Sequence, residues 1–405
     1  MIPVAGAHGG AGTLPMFLFV GQSYFGWNSN NGRFLNEIVD NPTLMLDGPN
    51  GVFGAGSMCD GVCYSDLVPA RDHTPIAQSP VTPFLYHYAL RASQQGLSPQ
   101  CVGHAEARSN GSVEHLLPAW HHLHQDCPVF SNAMIAVSSY AAQAARRGAR
   151  PEVPAVFFCQ GTGDNWRSKE EYRLRLDALF DALRDEIRGI TGQAHGPTFF
   201  IVQPPSKPIG GRWPCLQAHV DASFEREDTH VAVAGWAIPQ HDRTHFTGDG
   251  TVMVGEACAE AYLAHMRGED LSAPVIRSAR RADRILRVEA SDALVADDGP
   301  ATPRHRVRGK PLRHLGLQLD AGAIERVAVD GRRIEIELAP GTETPSTLYF
   351  ACTPRKALGV GPVRSRINTS ANRGNIRASR SVQSLFLNRP LHRWMASSAT
   401  PIELA

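Results

Sequence analysis

Ser23, Asp242 and His245 are the residue types that together perform acyl transfer, and their places in the chain are what make them worth reading as a set. The run Phe17-Leu-Phe-Val-Gly-Gln-Ser-Tyr24 is a short apolar stretch that stops in a polar turn. Read as a buried strand, it leaves the Ser23 hydroxyl at the strand's carboxyl end. Ligands bind at that end in open α/β sheets, and a serine at a strand-to-helix turn is well placed as a nucleophile. Gly-Gln-Ser alone is more often a buried strand and its turn. Asp242 and His245 change the weighing. They are separated by two residues, just before a last helical stretch, so one loop can present both. The carboxylate would orient the imidazole, and the imidazole would take the serine proton.

Such chemistry also needs hydrogen-bond donors for the oxyanion. Gly111 lies in the turn Asn110-Gly111-Ser112, where its amide can face a ligand. Gln160 follows the apolar run that ends at Cys159, and its carboxamide could reach an alkoxide; Asn165 could do the same. The Ser23 amide would complete a set of three, and losing one such donor typically costs about 100- to 1,000-fold in rate.

The elements that must hold these residues alternate. Apolar strands are expected at Phe17–Val20, Pro154–Cys159 and Thr198–Val202, with a fourth within Thr229–Ile238. Helices are expected at about 82–96, 131–147, 168–187 and 249–266. The third opens on Ser168-Lys-Glu-Glu171, the spacing of a capping box. Residues 26–82 read as one long loop region, rich in Gly, Asn, Asp and Pro. Strands alternating with amphipathic helices describe a parallel sheet covered on both faces. From about 272 the pattern turns to short strands with no strong helix, including a hairpin at Val327–Leu338 around Asp330-Gly331. This predicts a smaller, sandwich-like, all-β domain.

Gly21-Gln22-Ser23, the Asn110-Gly111-Ser112 turn, Gln160-Gly161-Thr-Gly-Asp164 and Asp242-Arg-Thr-His245 resemble, in this order, the sequence blocks of the SGNH (GDSL-like) hydrolase superfamily. The closer likeness is to its sialate O-acetylesterase/acetylxylan esterase-like branch of carbohydrate esterases, and it covers residues 15–266. The resemblance implies a three-layer α/β/α flavodoxin-like sandwich and ester hydrolysis through a serine acyl-enzyme, with no metal or other cofactor. By position it implies Ser23 as nucleophile, His245 as base, Asp242 as its orienter, and Gly111 with Gln160 (or Asn165) as oxyanion donors. Gln22, Tyr24, Trp27, Asp164 and Trp166 are then expected to contact an acylated carbohydrate, with acetyl esters foremost. Two positions depart from the branch: Tyr24 stands where it usually has Asn, and Thr162 where it often has Glu. Both bear on which substrate is taken.

The rest of the chain bounds this reading. With 405 residues two domains are expected, drawn at 15–270 and 271–405 after a flexible leader at 1–14. Residues 1–270 are net acidic and 271–405 net basic. The arginines are scattered and not interleaved with aromatics, including the run Arg304–Lys310. That argues for docking on the acidic part and a solvated surface, and against a nucleic-acid site. The eight cysteines show no repeated spacing; Cys59 and Cys63 are the one close pair, and Cys159 and Cys258 sit in surroundings that suit free buried thiols. His115, His121, His122 and His124 lack an accompanying carboxylate set and read as ordinary histidines. Trp27, Trp166, Trp213 and Trp236 flank the site blocks, where they stack on sugar rings or simply pack. No signal peptide and no membrane-length apolar run are seen, so a soluble protein is expected. Two other readings remain at this stage: a glycan-binding or phage-tail-like structural protein on a hydrolase scaffold, and a lipid or thioester hydrolase.

Overall fold

The computed structural model describes residues 12–25, 42–47, 52, 64–71, 79–109, 111–118, 129–164, 166–205, 213–240, 245–297, 313–341, 343–352 and 374–405. Seven strands form the first sheet: β1 (Thr13–Gln22), β2 (Leu44–Leu46), β3 (Leu67–Pro69), β4 (Val102–Arg108), β5 (Arg150–Cys159), β6 (Thr198–Gln203) and β7 (Thr229–Ala234). Their order is β3-β2-β4-β1-β5-β6-β7, and every pairing is parallel except β2 with β3. The strand that ends at Ser23 is therefore central, with β4 and β5 on either side.

Alternation along β1 feeds two cores. Phe17 and Phe19 point to one face, where α1 (Val81–Gln94) and α5 (Gly248–Met266) supply Phe84, Leu85, Val252 and Tyr262. Met16, Leu18 and Val20 point to the other, against α2 (Val129–Arg146), α3 (Lys169–Thr191) and α4 (Trp213–Glu225). With both faces buried, β1 has to be apolar throughout, and it reads that way. The helix starts follow local chemistry. Ser168 Oγ accepts from Glu171 N at 3.1 Å while Glu171 Oε2 accepts from Ser168 N at 3.2 Å, the reciprocal cap expected for α3. Thr247 Oγ1 accepts from Gly250 N at 3.0 Å and opens α5.

The described residues beyond 275 are β-rich, as expected, with ten strands: β8 (Ile276–Ala282), β9 (Ile285–Ala290), β10 (Leu294–Ala296), β11 (Leu317–Leu319), β12 (Ile324–Asp330), β13 (Arg333–Leu338), β14 (Thr347–Phe350), β15 (Ile376–Gln383), β16 (Pro390–Trp394) and β17 (Ser398–Leu404). They form one sheet ordered β11-β14-β17-β8-β9-β13-β12 and a second ordered β10-β15-β16. The predicted hairpin is β12–β13, turning through Gly331 at φ +55°. Its exposed arginines meet acids within the sheet: Arg280 with Glu403, Arg333 with Glu289, Arg326 with Glu337 and Arg284 with Glu325. Four arginines of the β-rich part are in this way partnered by acids of the same part.

This β-rich part sits on the β6–β7 edge of the first sheet through neutral and charged contacts, the charged ones including Arg380 with Glu269 and Arg389 with Asp249 at 3.6 Å each. Gln203 donates to Ser397 O at 3.0 Å and accepts from Ser397 N at 2.9 Å. The Trp236 indole donates to Met395 O at 2.9 Å, its ring edge-on to Trp394 and Phe350. Trp236 is thus a packing residue. Buried Glu256 accepts from Ser384 Oγ and Leu385 N and holds His87 at 3.2 Å, fastening α5 and α1 to the turn after β15.

Several elements differ from expectation. β2 and β3 lie within the stretch read as loop, being only three residues each, and α4 (Trp213–Glu225) is a helix beyond the four expected. The strand at 229 ends at Ala234 and gives way to a short turn at Gly235, where a Cβ would stand 2.0 Å from Gln203 O. Thr13 and Leu14 belong to β1 and Gly12 to the turn before it; residues 1–11 of the proposed leader lie outside the described residues, as do Cys59, Cys63, His121, His122, His124 and Arg304–Lys310. Cys159 and Cys258 are free and buried. No helix among the described residues is long and apolar enough to cross a membrane.

Candidate active site

Parallel register brings the blocks to one end of the sheet. Gly21 pairs with Cys159 and Gln22 with Arg108, so the ends of β1, β4 and β5 are level. Gly21 is there because a Cβ would stand 2.2 Å from Cys159 O. The chain then bends, with Phe25 N donating to Gln22 O at 3.0 Å, and Ser23 occupies that bend, partly exposed.

Ser23 Oγ lies 3.0 Å from His245 Nε2, across 222 residues of sequence. That is hydrogen-bond distance for a nucleophile and its base. His245 is held by its neighbours: Phe246 bridges to Gln240, and Thr247 begins the cap of α5. Tyr24 packs at 6.0 Å between ring centroids from His245 and 5.4 Å from Phe246. Asp242 lies outside the described residues, as do Asn165 and Trp27.

The second and third blocks converge on one carbonyl. Gly111 O accepts from Gln22 Nε2 at 2.5 Å and from Gln160 Nε2 at 3.1 Å. Gln22 Oε1 in turn accepts from Gly161 N at 3.3 Å, Thr162 N at 3.2 Å and Thr162 Oγ1 at 2.9 Å. Gly163 lies so close that a Cβ there would be 2.5 Å from Gly111 O. The Gly111 amide makes one long contact, 3.4 Å to Arg108 O.

Asp164 clamps the same turns. It is fully buried, and its carboxylate accepts from Val113 N at 2.8 Å, Arg167 Nε at 2.7 Å and the Gln160 carboxamide. Arg167 also meets Glu114 at 2.7 Å, and Glu114 meets Arg175 at 2.9 Å. These arginines hold the Glu114 carboxyl below its ordinary range against the opposing effect of burial. His115 caps its own turn, with Nδ1 accepting from Ser112 N at 2.8 Å; burial and the nearby Arg108 charge lower its pKa.

Four of the residues expected at the site are buried. Gln22, Tyr24 and Asp164, placed by sequence among substrate contacts, are 1%, 4% and 0% exposed, so each faces protein. Gln160 is expected as an oxyanion donor, but both its amide hydrogens are taken by Gly111 O and Asp164, and the residue is fully buried. Trp166, by contrast, is 68% exposed beside the site, with the Arg167 guanidinium 4.0 Å from its ring centroid. Sequence reasoning missed Arg167, Tyr172 and His219, which hold the third block from behind. Arg167, three residues after Asp164, carried a signal that could have been read.

No family model and no curated sequence matches this chain. Among solved structures, a carbohydrate acetylesterase from Xanthomonas citri superposes with a TM-score of 0.60 at 15% identity, covering 95% of this chain and 80% of that one. NanS aligns at a TM-score of 0.42 and 13% identity, covering 63% of this chain and 98% of the other. A carbohydrate acetylesterase from Sinorhizobium meliloti, Est24, aligns at 0.35 and 15%, covering 62% and 98%. Over nearly its whole length, then, the chain has the fold of the Xanthomonas citri carbohydrate acetylesterase.

Proposed function

We propose that the chain is a serine carboxylic ester hydrolase that removes acyl groups, acetyl foremost, from a carbohydrate. The observation that carries this reading is the 3.0 Å approach of Ser23 Oγ to His245 Nε2 at the carboxyl end of the central strand. His245 takes the Ser23 proton as Oγ attacks the acyl carbonyl carbon. The tetrahedral oxyanion is received by the Ser23 and Gly111 amides. Collapse expels the sugar alkoxide, which takes the proton back from His245, and water attacks the acyl-enzyme by the same route. Asp242, three positions before His245 in the sequence, is the residue we assign to orient the imidazole. Asn165 is the remaining candidate for a third oxyanion donor, since Gln160 is spent on Gly111 and Asp164.

The carbohydrate assignment rests on the shared fold with an acetylesterase of that class and on the exposed Trp166 ring, a platform on which a sugar can stack. We read the layering as flavodoxin-like, because two helices cover one face of the parallel sheet and three the other. The division at 15–270 and 271–405 follows the change of sheets, and the β-rich part would help hold a larger glycan. The test is release of acetate from a panel of defined acetylated glycans. Turnover that falls at least tenfold in Trp166→Ala through KM supports the assignment. Hydrolysis of p-nitrophenyl acetate with no turnover of any glycan would reject the carbohydrate, and glycan binding without any hydrolysis would reject the enzyme.

A further inference from the structure

Behind Gly111, away from the serine, runs a chain of buried hydrogen bonds whose direction can be worked out. Gln160 Nε2 faces Gly111 O and the Asp164 carboxylate, both of which only accept, so both amide hydrogens point that way. Gln160 Oε1 must then accept, and Tyr172 Oη at 2.8 Å donates to it. A phenol has one hydrogen. Tyr172 Oη is therefore the acceptor toward His219 Nε2 at 2.9 Å, and His219 carries its proton on Nε2. His219 Nδ1 has no partner among the described residues. Tyr172 and His219 are both fully buried, so neither can touch substrate. Burial pushes the His219 pKa down to about 3, which keeps the ring neutral with a single donor to give.

A buried polar chain is costly where apolar side chains would fill the space, unless it fixes an orientation. The orientation fixed here is that of the Gly111 carbonyl, which receives the last hydrogen bond of the chain and a second from Gln22. We propose that Tyr172 and His219 are positioning residues, acting through Gln160 to set the angle at which the Gly111 residue presents its amide to the oxyanion. The inference rests on the esterase reading and on Gly111 as a donor. It adds that the donor's aim is set from α3 and α4, the helices that carry Tyr172 and His219.

The test compares Tyr172→Phe with wild type on p-nitrophenyl acetate, alongside His219→Gln, which keeps a donor, and His219→Leu, which does not. Misaiming one donor predicts a loss in kcat on the order of 10- to 100-fold. KM and the acidic limb of the pH profile should hardly change, because Ser23 and His245 are untouched. His219→Gln should retain most of the wild-type kcat and His219→Leu should lose it, a comparison that stands even if Tyr172→Phe fails to fold. Variants that melt earlier yet keep the wild-type kcat would show a purely structural chain and overturn the proposal. A wild type without any esterase activity would instead overturn the reading on which it rests.

Discussion

Gln22 Nε2 donates to Gly111 O at 2.5 Å, tying the strand end that carries Ser23 to a turn 89 residues further along the chain. Through its Oε1 the same side chain holds Gly161 and Thr162. One carboxamide thus joins three separated blocks and sets their spacing around the nucleophile.

Replacing it should be costly on both counts. Gln22→Leu leaves buried donors at Gly161 and Thr162 unpaired, at about 1–3 kcal/mol each before relaxation. The expected outcome is a stability loss of roughly 2–4 kcal/mol in denaturant titration, with kcat reduced at least tenfold. Wild-type kcat in a folded Gln22→Leu protein would mean that the blocks hold their places without it.

Gly163→Ala tests the close approach of the second and third blocks. A Cβ at 2.5 Å from Gly111 O cannot be accommodated without moving backbone. We expect a destabilisation of about 1–3 kcal/mol and a fall in kcat larger than any rise in KM. Full activity at unchanged melting temperature would argue that the turn is freer than the packing implies.

Arg167→Met removes the cation from a pair in which Asp164 is 0% and the Arg167 side chain 3% exposed. Breaking such a pair from one side strands the buried carboxylate and costs about 3–5 kcal/mol. The Trp166 ring also loses the guanidinium stacked on it, so tryptophan fluorescence should shift in the folded variant. A loss below about 1 kcal/mol, the size of an exposed pair, would contradict the clamp.

The buried imidazole of His219 gives a pH dependence of defined sign. Burial pushes its folded pKa down to about 3, from about 6.5 for a free imidazole. Below the unfolded value the unfolded chain takes up a proton that the folded protein refuses. The stability associated with His219 is accordingly full above about pH 6.5 and lost as pH falls toward 3, with a limiting slope near 1.4 kcal/mol per pH unit for one proton. His87 works the other way. Its two glutamate partners raise its pKa despite burial, so its contribution is full below the unfolded value and lost as pH rises through the folded one. The difference curve between wild type and His219→Gln isolates the first effect; parallel curves from pH 4 to 7 would contradict it.

How much of this was legible in the sequence depends on whether a residue's role was local. The apolar run at Phe17–Val20, the Ser168–Glu171 cap and the Asp330-Gly331 turn declare themselves over a few positions, and each is found. Ser23 and His245 were legible as a pair because one sits at a strand end and the other before a helix. The roles of Gln22, Tyr24, Gln160 and Asp164 were not. Their types say only that they can hydrogen-bond or pack; whether they face substrate or protein is decided by burial between strands brought together from distant sequence. Tyr172 and His219 gave no signal, since each lies on the core side of an amphipathic helix among residues chosen for packing. β2, β3 and β17 went unseen because their pairing partners, not their patterns, make them strands.

The central claim is that Ser23 is the nucleophile and His245 its base. It is tested most directly by treating the protein with a fluorophosphonate and mapping the adduct by mass spectrometry. One adduct per chain is expected, on the peptide containing Ser23, formed at least 100-fold more slowly in His245→Ala, with loss of p-nitrophenyl acetate hydrolysis in step with labelling. Hydrolysis that continues with Ser23 unlabelled, or with the adduct on another residue, would contradict it.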